Sequence, residues 1–408
     1  MGADAAPRPL ERIGVLGAGT MGAGIAQLAA EAGIDVAVYD AVAGAYERGH
    51  ERTAGFLARK VEKGQLSEPS RAAALARITQ AADVEALATA DLVIEAIPED
   101  LDLKRDAFRR LDAAARENTI LASNTSSLSI GAIAEATNRP GRVVGMHFFN
   151  PVPLMALVEV IASERTGREF AEATMAAARR LDKTPVLAAD TPGFIVNRVA
   201  RPFYLEAMRI AGEGSATIGA VDAAARGIGF RMGPFELVDT IGADVNLAVS
   251  QSVYEAFDRD PRYEPHEMQR ALVDAGRLGR KAGAGFYDYS PDGAREASWS
   301  GLTSQAGESR GEVLTDAQIA GRLLATIVNE AASAVADEVA APEAIDTAMR
   351  LGANYPSGPL EWGERIGLSE VVETLDSLAA ASADGRYRVV PILRSRAESG
   401  GSFFTSRG

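Results

Sequence analysis

The chain has no cysteine among its 408 residues, which excludes disulfides, thiolate metal sites and cysteine nucleophiles. Histidine is nearly as scarce, with only His50, His147 and His266. Aromatic residues make up 6%, while alanine is abundant, a bias toward helix. Positive charge is in deficit: the formal net charge is -14, which argues against general affinity for nucleic acid or an anionic membrane. It does not exclude an anionic ligand held by a local basic cluster. There is no run of about 18 uninterrupted apolar residues, and Met1 to Arg12 lacks the apolar stretch of a signal peptide. Ala6 stands where a myristoylation motif beginning at Gly2 wants Ser or Thr. No metal, nucleic-acid or membrane partner is expected, and the expected compartment is the cytoplasm.

What is present is enough apolar material for buried cores, 47% of residues beside 24% charged, at a length that suits two or three domains. From Arg12 to about Asp190, short β-branched runs alternate with longer helical stretches. The runs are Ile13–Leu16, Val36–Tyr39, Leu92–Ile97, Thr119–Ala122, Val143–Phe148, Leu157–Ile161 and Pro185–Ala188. This alternation predicts an α/β domain over 10–190 with a largely parallel sheet and helices on both faces. The segment from Ala45 to Arg77 is long for one crossover and reads as two helices broken near Gly64 and Pro69, a hairpin standing off the sheet. After Asp190-Thr191-Pro192-Gly193 strand signals fade and amphipathic helical spacing dominates, with Pro192 near the first turn of a long helix. A polar stretch over 290–311 reads as a linker.

The helical part repeats itself. Ile195-Val196-Asn197-Arg198-Val199 aligns with Ile319-Ala320-Gly321-Arg322-Leu323, and in that register Glu206 meets Glu330, Asp222 meets Asp346 and Arg226 meets Arg350. With one inserted residue, Gly233-Pro234-Phe235-Glu236 meets Gly358-Pro359-Leu360-Glu361. Two helical domains, 191–289 and 312–400, are expected.

Ile13 to Gly24 reads as a strand, then Gly17-Ala18-Gly19-Thr20-Met21-Gly22, then a helix start, the context a dinucleotide loop requires. Gly17 would permit the tight turn, Gly19 would let backbone approach a pyrophosphate, and Gly22 would pack helix on strand. The helix N-terminus offers free N–H groups and partial positive charge to the phosphates. Asp40 ends the next strand, placed for the adenosine ribose hydroxyls; its charge would repel a 2′-phosphate, so NAD is expected over NADP.

His50 lies in a charged helical stretch and His266 beside Pro265 in a polar loop, so both are expected to be solvated. His147 lies near the C-terminal end of a predicted buried strand, the edge where open α/β sheets bind ligands. Glu159 interrupts the apolar run Leu157-Val158-Glu159-Val160-Ile161, and a carboxylate in a buried strand is costly unless paired. A histidine on a neighbouring strand is its natural partner, and the pair would orient the imidazole and stabilise its protonated form.

With these residues in hand the chain resembles the 3-hydroxyacyl-CoA dehydrogenases, including the 3-hydroxybutyryl-CoA dehydrogenases. The marks are Ser123-Asn124-Thr125-Ser126-Ser127, His147-Phe148-Phe149-Asn150-Pro151, Glu159, Asp190-Thr191-Pro192-Gly193-Phe194-Ile195-Val196-Asn197-Arg198 and Gly279-Arg280-Lys281-Ala282-Gly283-Ala284-Gly285-Phe286-Tyr287. The resemblance implies a Rossmann domain followed by all-α domains, tandem repeats like the C-terminal domain of 6-phosphogluconate dehydrogenase. It implies oxidation of a (3S)-3-hydroxyacyl-CoA by NAD, with His147 as general base held by Glu159, and Ser126 and Asn197 hydrogen-bonding the reacting oxygen. Ser126 is preferred to Ser127 on its spacing to His147.

By the same resemblance Glu99, Lys104, Asn150 and Lys281 line the NAD site beside Gly17, Gly19, Thr20, Met21, Gly22 and Asp40. The helical hairpin, which carries Arg59, Lys60 and Lys63 within about one turn, contacts CoA with Thr53 and Lys60 at the matching positions. Short acyl groups, 3-hydroxybutyryl or 3-hydroxyadipyl, are the expected substrates. The second helical copy has Gly321 where the first has Asn197, so it is expected to be structural, giving either a homodimer or a monomer that is an internal pseudo-dimer. Two other readings suit the same residues: a hydroxyacid dehydrogenase of the L-gulonate type that does without CoA, and a non-catalytic NAD-binding sensor or structural protein.

Overall fold

The computed structural model describes residues 10–299, 301, 313–382 and 384–404. It separates between Phe194 and Ile195 into two compact units, just after the Asp190–Gly193 turn.

The first unit runs β1 (Arg12–Leu16), α1 (Thr20–Glu31), β2 (Asp35–Tyr39), α2 (Ala45–Glu62), α3 (Glu68–Ala76), β3 (Ile78–Gln80), α4 (Val84–Leu87), β4 (Leu92–Glu95), α5 (Leu101–Ala114), β5 (Ile120–Ser123), α6 (Ile130–Ala134), β6 (Val143–Phe148), β7 (Leu157–Ala162), α7 (Arg168–Arg180) and β8 (Thr184–Ala189). The sheet order is β3-β2-β1-β4-β5-β6-β7-β8, and only the β6–β7 pair is antiparallel. Ile13, Val15, Leu92, Ile94, Val144, Met146, Val158 and Val160 are buried in a core on one face, and Leu16, Val93, Leu121, Val143, Leu157 and Ile161 are buried on the other, as strands covered on both faces require. Strand order reverses between β1 and β4, the switch point at which such sheets open a ligand crevice.

Each of the seven apolar runs is a strand. β3 was not expected; three residues at a sheet edge carry no readable period. In the helical hairpin Ser67 caps α3 by accepting from the Ser70 N–H at 3.2 Å, and Pro69 occupies its first turn. Pro needs no amide partner there.

The second unit holds α8 (Val196–Val199), α9 (Arg201–Gly212), α10 (Ile218–Gly227), α11 (Pro234–Ile241), α12 (Ala243–Ala256), α13 (Glu267–Asp274), a small hairpin of β9 (Tyr287–Tyr289) and β10 (Arg295–Ser298), then α14 (Asp316–Ala336), α15 (Pro342–Gly352), α16 (Pro359–Ile366), α17 (Leu368–Ala381) and α18 (Pro391–Ser399). The expected long helix after Pro192 is corrected to a turn followed by two pieces, because Pro202 stands in the first turn of α9 and cannot donate within a helix. The expected linker also differs: 290–299 contributes to the β9–β10 hairpin, while 302–311 lies outside the described residues. α14 is long and apolar enough to cross a membrane, yet 72% of its apolar window is buried within the unit, which makes it a core helix.

The two copies bond alike. Asp222 accepts from the N–H groups of Phe235 at 2.9 Å and Glu236 at 3.3 Å; Asp346 accepts from those of Leu360 and Glu361, both at 2.9 Å. Each carboxylate caps the helix that opens with Gly-Pro, and a Cβ on Gly233 or Gly358 would stand 2.2 Å from it. Burial raises Asp222 to about 7 and Asp346 to about 6.

Between the copies the pairing is reciprocal. Arg198 Nε donates to Glu330 at 2.7 Å, and Arg322 pairs with Glu206. Tyr263 donates to Glu330 at 2.6 Å, and Tyr387 to Glu206 at 3.0 Å. Residue i meeting j′ while i′ meets j is the rule of an isologous interface, here within one chain.

Candidate active site

Strands β1, β4, β5 and β6 run in the same direction, so the loops after the first three and the end of β6 share the carboxyl edge of the sheet. Along it stand the glycine loop, Glu99, Ser126 and His147.

Gly17 has φ +104°, and a Cβ there would lie 2.6 Å from the Ala96 carbonyl oxygen, so only glycine fits. At Gly22 a Cβ would meet the Gly17 oxygen at 1.9 Å, the close helix–strand packing the motif provides. Gly19 differs: nothing lies within 4 Å of its Cβ position. Its backbone faces open space that a pyrophosphate can enter. Thr20 and Met21 open α1, whose first-turn N–H groups point at the same space. Asp40 sits beside the loop and accepts from the Ala18 N–H at 2.7 Å and the Val42 N–H at 2.8 Å. These residues fit a dinucleotide such as NAD.

His147 and Glu159 are direct partners across the β6–β7 pair. Nδ1 of His147 lies 2.7 Å from Oε2 of Glu159. Glu159 is fully buried and His147 is 6% exposed, so the imidazole is held by a carboxylate shielded from water. The ring packs against Phe149 at 4.4 Å and Phe194 at 5.9 Å between centroids. With an Nδ1–H donated to Glu159, the lone pair of a neutral imidazole is on Nε2.

Ser126 lies in a loop organised by Glu99. Oε1 of Glu99 accepts from Thr125 Oγ1 at 2.6 Å, the Ser126 N–H at 2.9 Å, the Ser127 N–H at 3.1 Å and Ser127 Oγ at 2.9 Å. Partial burial pushes the Glu99 pKa up, but these donors and Lys104 outweigh it and hold the carboxyl below its ordinary value. Asn124 ties the same loop to the histidine strand, accepting from the Phe148 N–H at 2.9 Å.

Lys104 differs in placement from a residue lining a cofactor site. It is 1% exposed and pairs with Glu95 at 2.6 Å and Glu99 at 3.3 Å, so it supports Glu99 from beneath. Glu95 is the residue that sequence reasoning missed. It is fully buried and accepts from Lys104, from Ser123 at 2.6 Å and from the Ile97 N–H at 2.7 Å. Burial raises its pKa despite these donors. Its signal was visible: like Glu159, it is a carboxylate in an apolar strand.

Asn150 is exposed just after β6. Thr53 and Lys60 also sit differently from an open CoA contact. Thr53 is 2% exposed and its hydroxyl donates to the Ala23 carbonyl at 3.4 Å, while Lys60 pairs with Glu31. Arg59 and Lys63 are exposed cations of that hairpin, as are Arg48 and Arg52.

In the second unit Asn197 lies on α8. Lys281 is exposed in a short turn whose following segment is pinned by Asp239, which accepts from the Phe286 N–H at 2.7 Å and the Tyr287 N–H at 3.0 Å. His266 corrects the expectation that it is solvated: it caps α13, accepting from the Met268 N–H at 3.3 Å. Burial, then Arg209 and Arg386, lower its pKa to about 4.

Comparison with known proteins agrees with this geometry. Residues 12–191 match the model of the 3-hydroxyacyl-CoA dehydrogenase NAD binding domain, and the C-terminal domain model of that family matches at both 193–289 and 319–402. The chain is 39% identical to 3-hydroxyadipyl-CoA dehydrogenase of Escherichia coli K12, over 95% of this chain and 98% of that one. It is 45% identical to a probable 3-hydroxybutyryl-CoA dehydrogenase of Bacillus subtilis, covering 98% of that protein but 69% of this chain. The crystal structure of 3-hydroxybutyryl-CoA dehydrogenase from Escherichia coli K12 superposes with a TM-score of 0.88 at 36% identity, over 96% of this chain and all of that one.

Proposed function

The chain belongs to the 3-hydroxyacyl-CoA dehydrogenase family, and from that membership we propose that it oxidises the 3-hydroxyl of a (3S)-3-hydroxyacyl-CoA to the 3-oxoacyl-CoA with NAD. The single observation that carries the reading is the buried His147–Glu159 pair, on the same sheet edge as an open glycine loop.

Nε2 of His147 takes the hydroxyl proton as the C3–H hydride leaves. NAD, when bound, accepts that hydride. Glu159 stabilises the imidazolium and fixes its tautomer. Ser126 and Asn197 donate to the oxygen as it becomes a carbonyl. Gly19, the first turn of α1 and Asp40 would hold the dinucleotide, and Glu99, Asn150 and Lys281 would contribute to its binding. The exposed hairpin cations, Arg59 and Lys63 among them, would bind the CoA phosphates.

Short acyl groups fit the names of the relatives, 3-hydroxybutyryl and 3-hydroxyadipyl. The second helical copy, with Gly321 in place of Asn197, serves as an internal partner subunit, so one chain carries one active site. Both cosubstrates are intracellular compounds, which supports a cytoplasmic setting.

The test is NAD reduction over a panel of 3-hydroxyacyl-CoA esters, monocarboxylic and dicarboxylic, with and without His147→Ala. Activity on free hydroxy acids but on no CoA ester would refute the reading. Calorimetric titration should give one NAD per chain; two would refute the single-site arrangement.

A further inference from the structure

The two helical copies act as an internal control for which polar groups the fold itself needs. Both keep the Arg–Glu pairs between copies, the Asp caps and the tyrosines. One buried polar network exists in the first copy alone. Arg201, 4% exposed, donates from Nε to the Asn197 carbonyl at 2.9 Å and from Nη1 to Ser250 Oγ at 3.1 Å. Gln269 donates to Asn246 Oδ1 at 2.6 Å and to Ser250 Oγ at 3.0 Å. Asn246, Ser250 and Gln269 are 2%, 0% and 1% exposed. Arg201 stacks on Tyr204 at 4.8 Å, and no carboxylate among the described residues neutralises it.

In the register of the Arg198 and Arg322 pairs, Arg201 corresponds to Ala325. In the register of the Gly-Pro helices, Asn246 and Ser250 correspond to Val371 and Leu375, and in that of the two tyrosines Gln269 corresponds to Leu393. These four are as buried as their counterparts, at 2%, 2%, 0% and 0%. The copy that has Gly321 in place of Asn197 has thus replaced the whole network with apolar residues. Burying a guanidinium without a counter-ion, and two amides, is costly, and the second copy shows that the same helical positions pack without them. The cost is offset by something other than folding, and Asn197 is lost together with the network.

We propose that Arg201, Asn246, Ser250 and Gln269 form a positioning set that fixes α8 so that Asn197 meets the reacting oxygen. Arg201 is its keystone, tying the Asn197 carbonyl to α12, while Gln269 ties α12 to α13. The inference rests on the role given to Asn197 above.

The experiment transplants the second copy's solution into the first within the full chain: Arg201→Ala, Asn246→Val, Ser250→Leu and Gln269→Leu together, with Arg201→Met as a milder variant. Tm, the Kd for NAD, kcat and KM are measured for each, and again with Asn197→Ala added. The expected result is a fall in kcat of roughly 10²-fold, as for a catalytic group misplaced by about 1 Å, at parental NAD affinity and nearly parental Tm. Adding Asn197→Ala should then cost far less than it does in the parent, because coupled residues are not additive. Parental kcat in both variants overturns the proposal, as does a Tm well below the parent in both, which would make the network structural. If Asn197→Ala alone keeps parental kcat, the reading of Asn197 fails. If Asn197→Ala is impaired and the transplant is not, only the network fails.

Discussion

His147 and Glu159 stand directly opposite each other on β6 and β7, Nδ1 to Oε2 at 2.7 Å, with the carboxylate fully buried. Removing the imidazole removes the proton acceptor, so His147→Ala should lower kcat by roughly 10² to 10⁴ with little change in NAD affinity. Glu159→Gln keeps a hydrogen-bonding group of the same size and removes only the charge. It should lower kcat less than His147→Ala, and the double variant should be no slower than His147→Ala. Steady-state NAD reduction decides it; independent, multiplying losses would show that the two do not act as a unit.

The glycine loop separates binding from folding. At Gly22 an added methyl lands 1.9 Å from backbone, whereas at Gly19 it lands in open space. Gly22→Ala should therefore lower Tm and abolish NAD binding together. Gly19→Ala should keep the parental Tm and weaken NAD, because the methyl occupies only the space the phosphates need. Thermal melts beside NAD titrations check the pair, and a Gly19→Ala protein with parental NAD affinity would remove the loop from the cofactor site.

What the sequence disclosed followed physical period and cost. The strands of the first unit are continuous apolar runs because both sheet faces are covered, and Glu159 stood out as a carboxylate that such a run cannot bury unpaired. Glu95 met the same criterion, but its partner Lys104 comes from α5, nine positions on, where a lysine reads as one more surface charge. The repeat was legible as Glu206 with Glu330 and Asp222 with Asp346. That each glutamate pairs with the other copy's arginine was not, since it depends on how helices far apart in sequence pack. Arg201, Asn246, Ser250 and Gln269 lie on three separate helices with no common spacing. What sets them apart is that their counterparts in the second copy are apolar at matched burial.

Glu95 and Lys104 form an almost fully buried ion pair. Lys104→Met leaves Glu95 without its cation and should cost about 3–5 kcal/mol, read as a large drop in Tm. Changing Glu95→Met as well removes the uncompensated charge and should recover most of that loss. The double variant still lacks the cation beneath Glu99, so the Ser126 loop should be less well held and kcat should stay reduced. Denaturation of Lys104→Met and of the double variant settles the first claim. A double variant with parental kcat would show that Lys104 does not support the loop.

His266 should make the second unit sensitive to mild acid. Its Nδ1 accepts the Met268 N–H, which a protonated ring cannot do. Burial first, then Arg209 and Arg386, hold its pKa near 4 against an ordinary 6.5. The folded state therefore binds this proton less readily than the unfolded chain. The stability it contributes is fully present above about 6.5 and is lost as pH falls toward about 4. Gly212 leaves room for the ring, since a Cβ there would lie 2.9 Å from it. His266→Asn keeps a capping acceptor that does not titrate in this range. Melting curves between about pH 7 and about pH 4.5 should show a shallower fall in Tm for His266→Asn than for the parent. Carboxylates that titrate over the same window are common to both proteins and cancel in the comparison. Equal slopes would mean that His266 is protonated in the folded state and that its cap is made some other way.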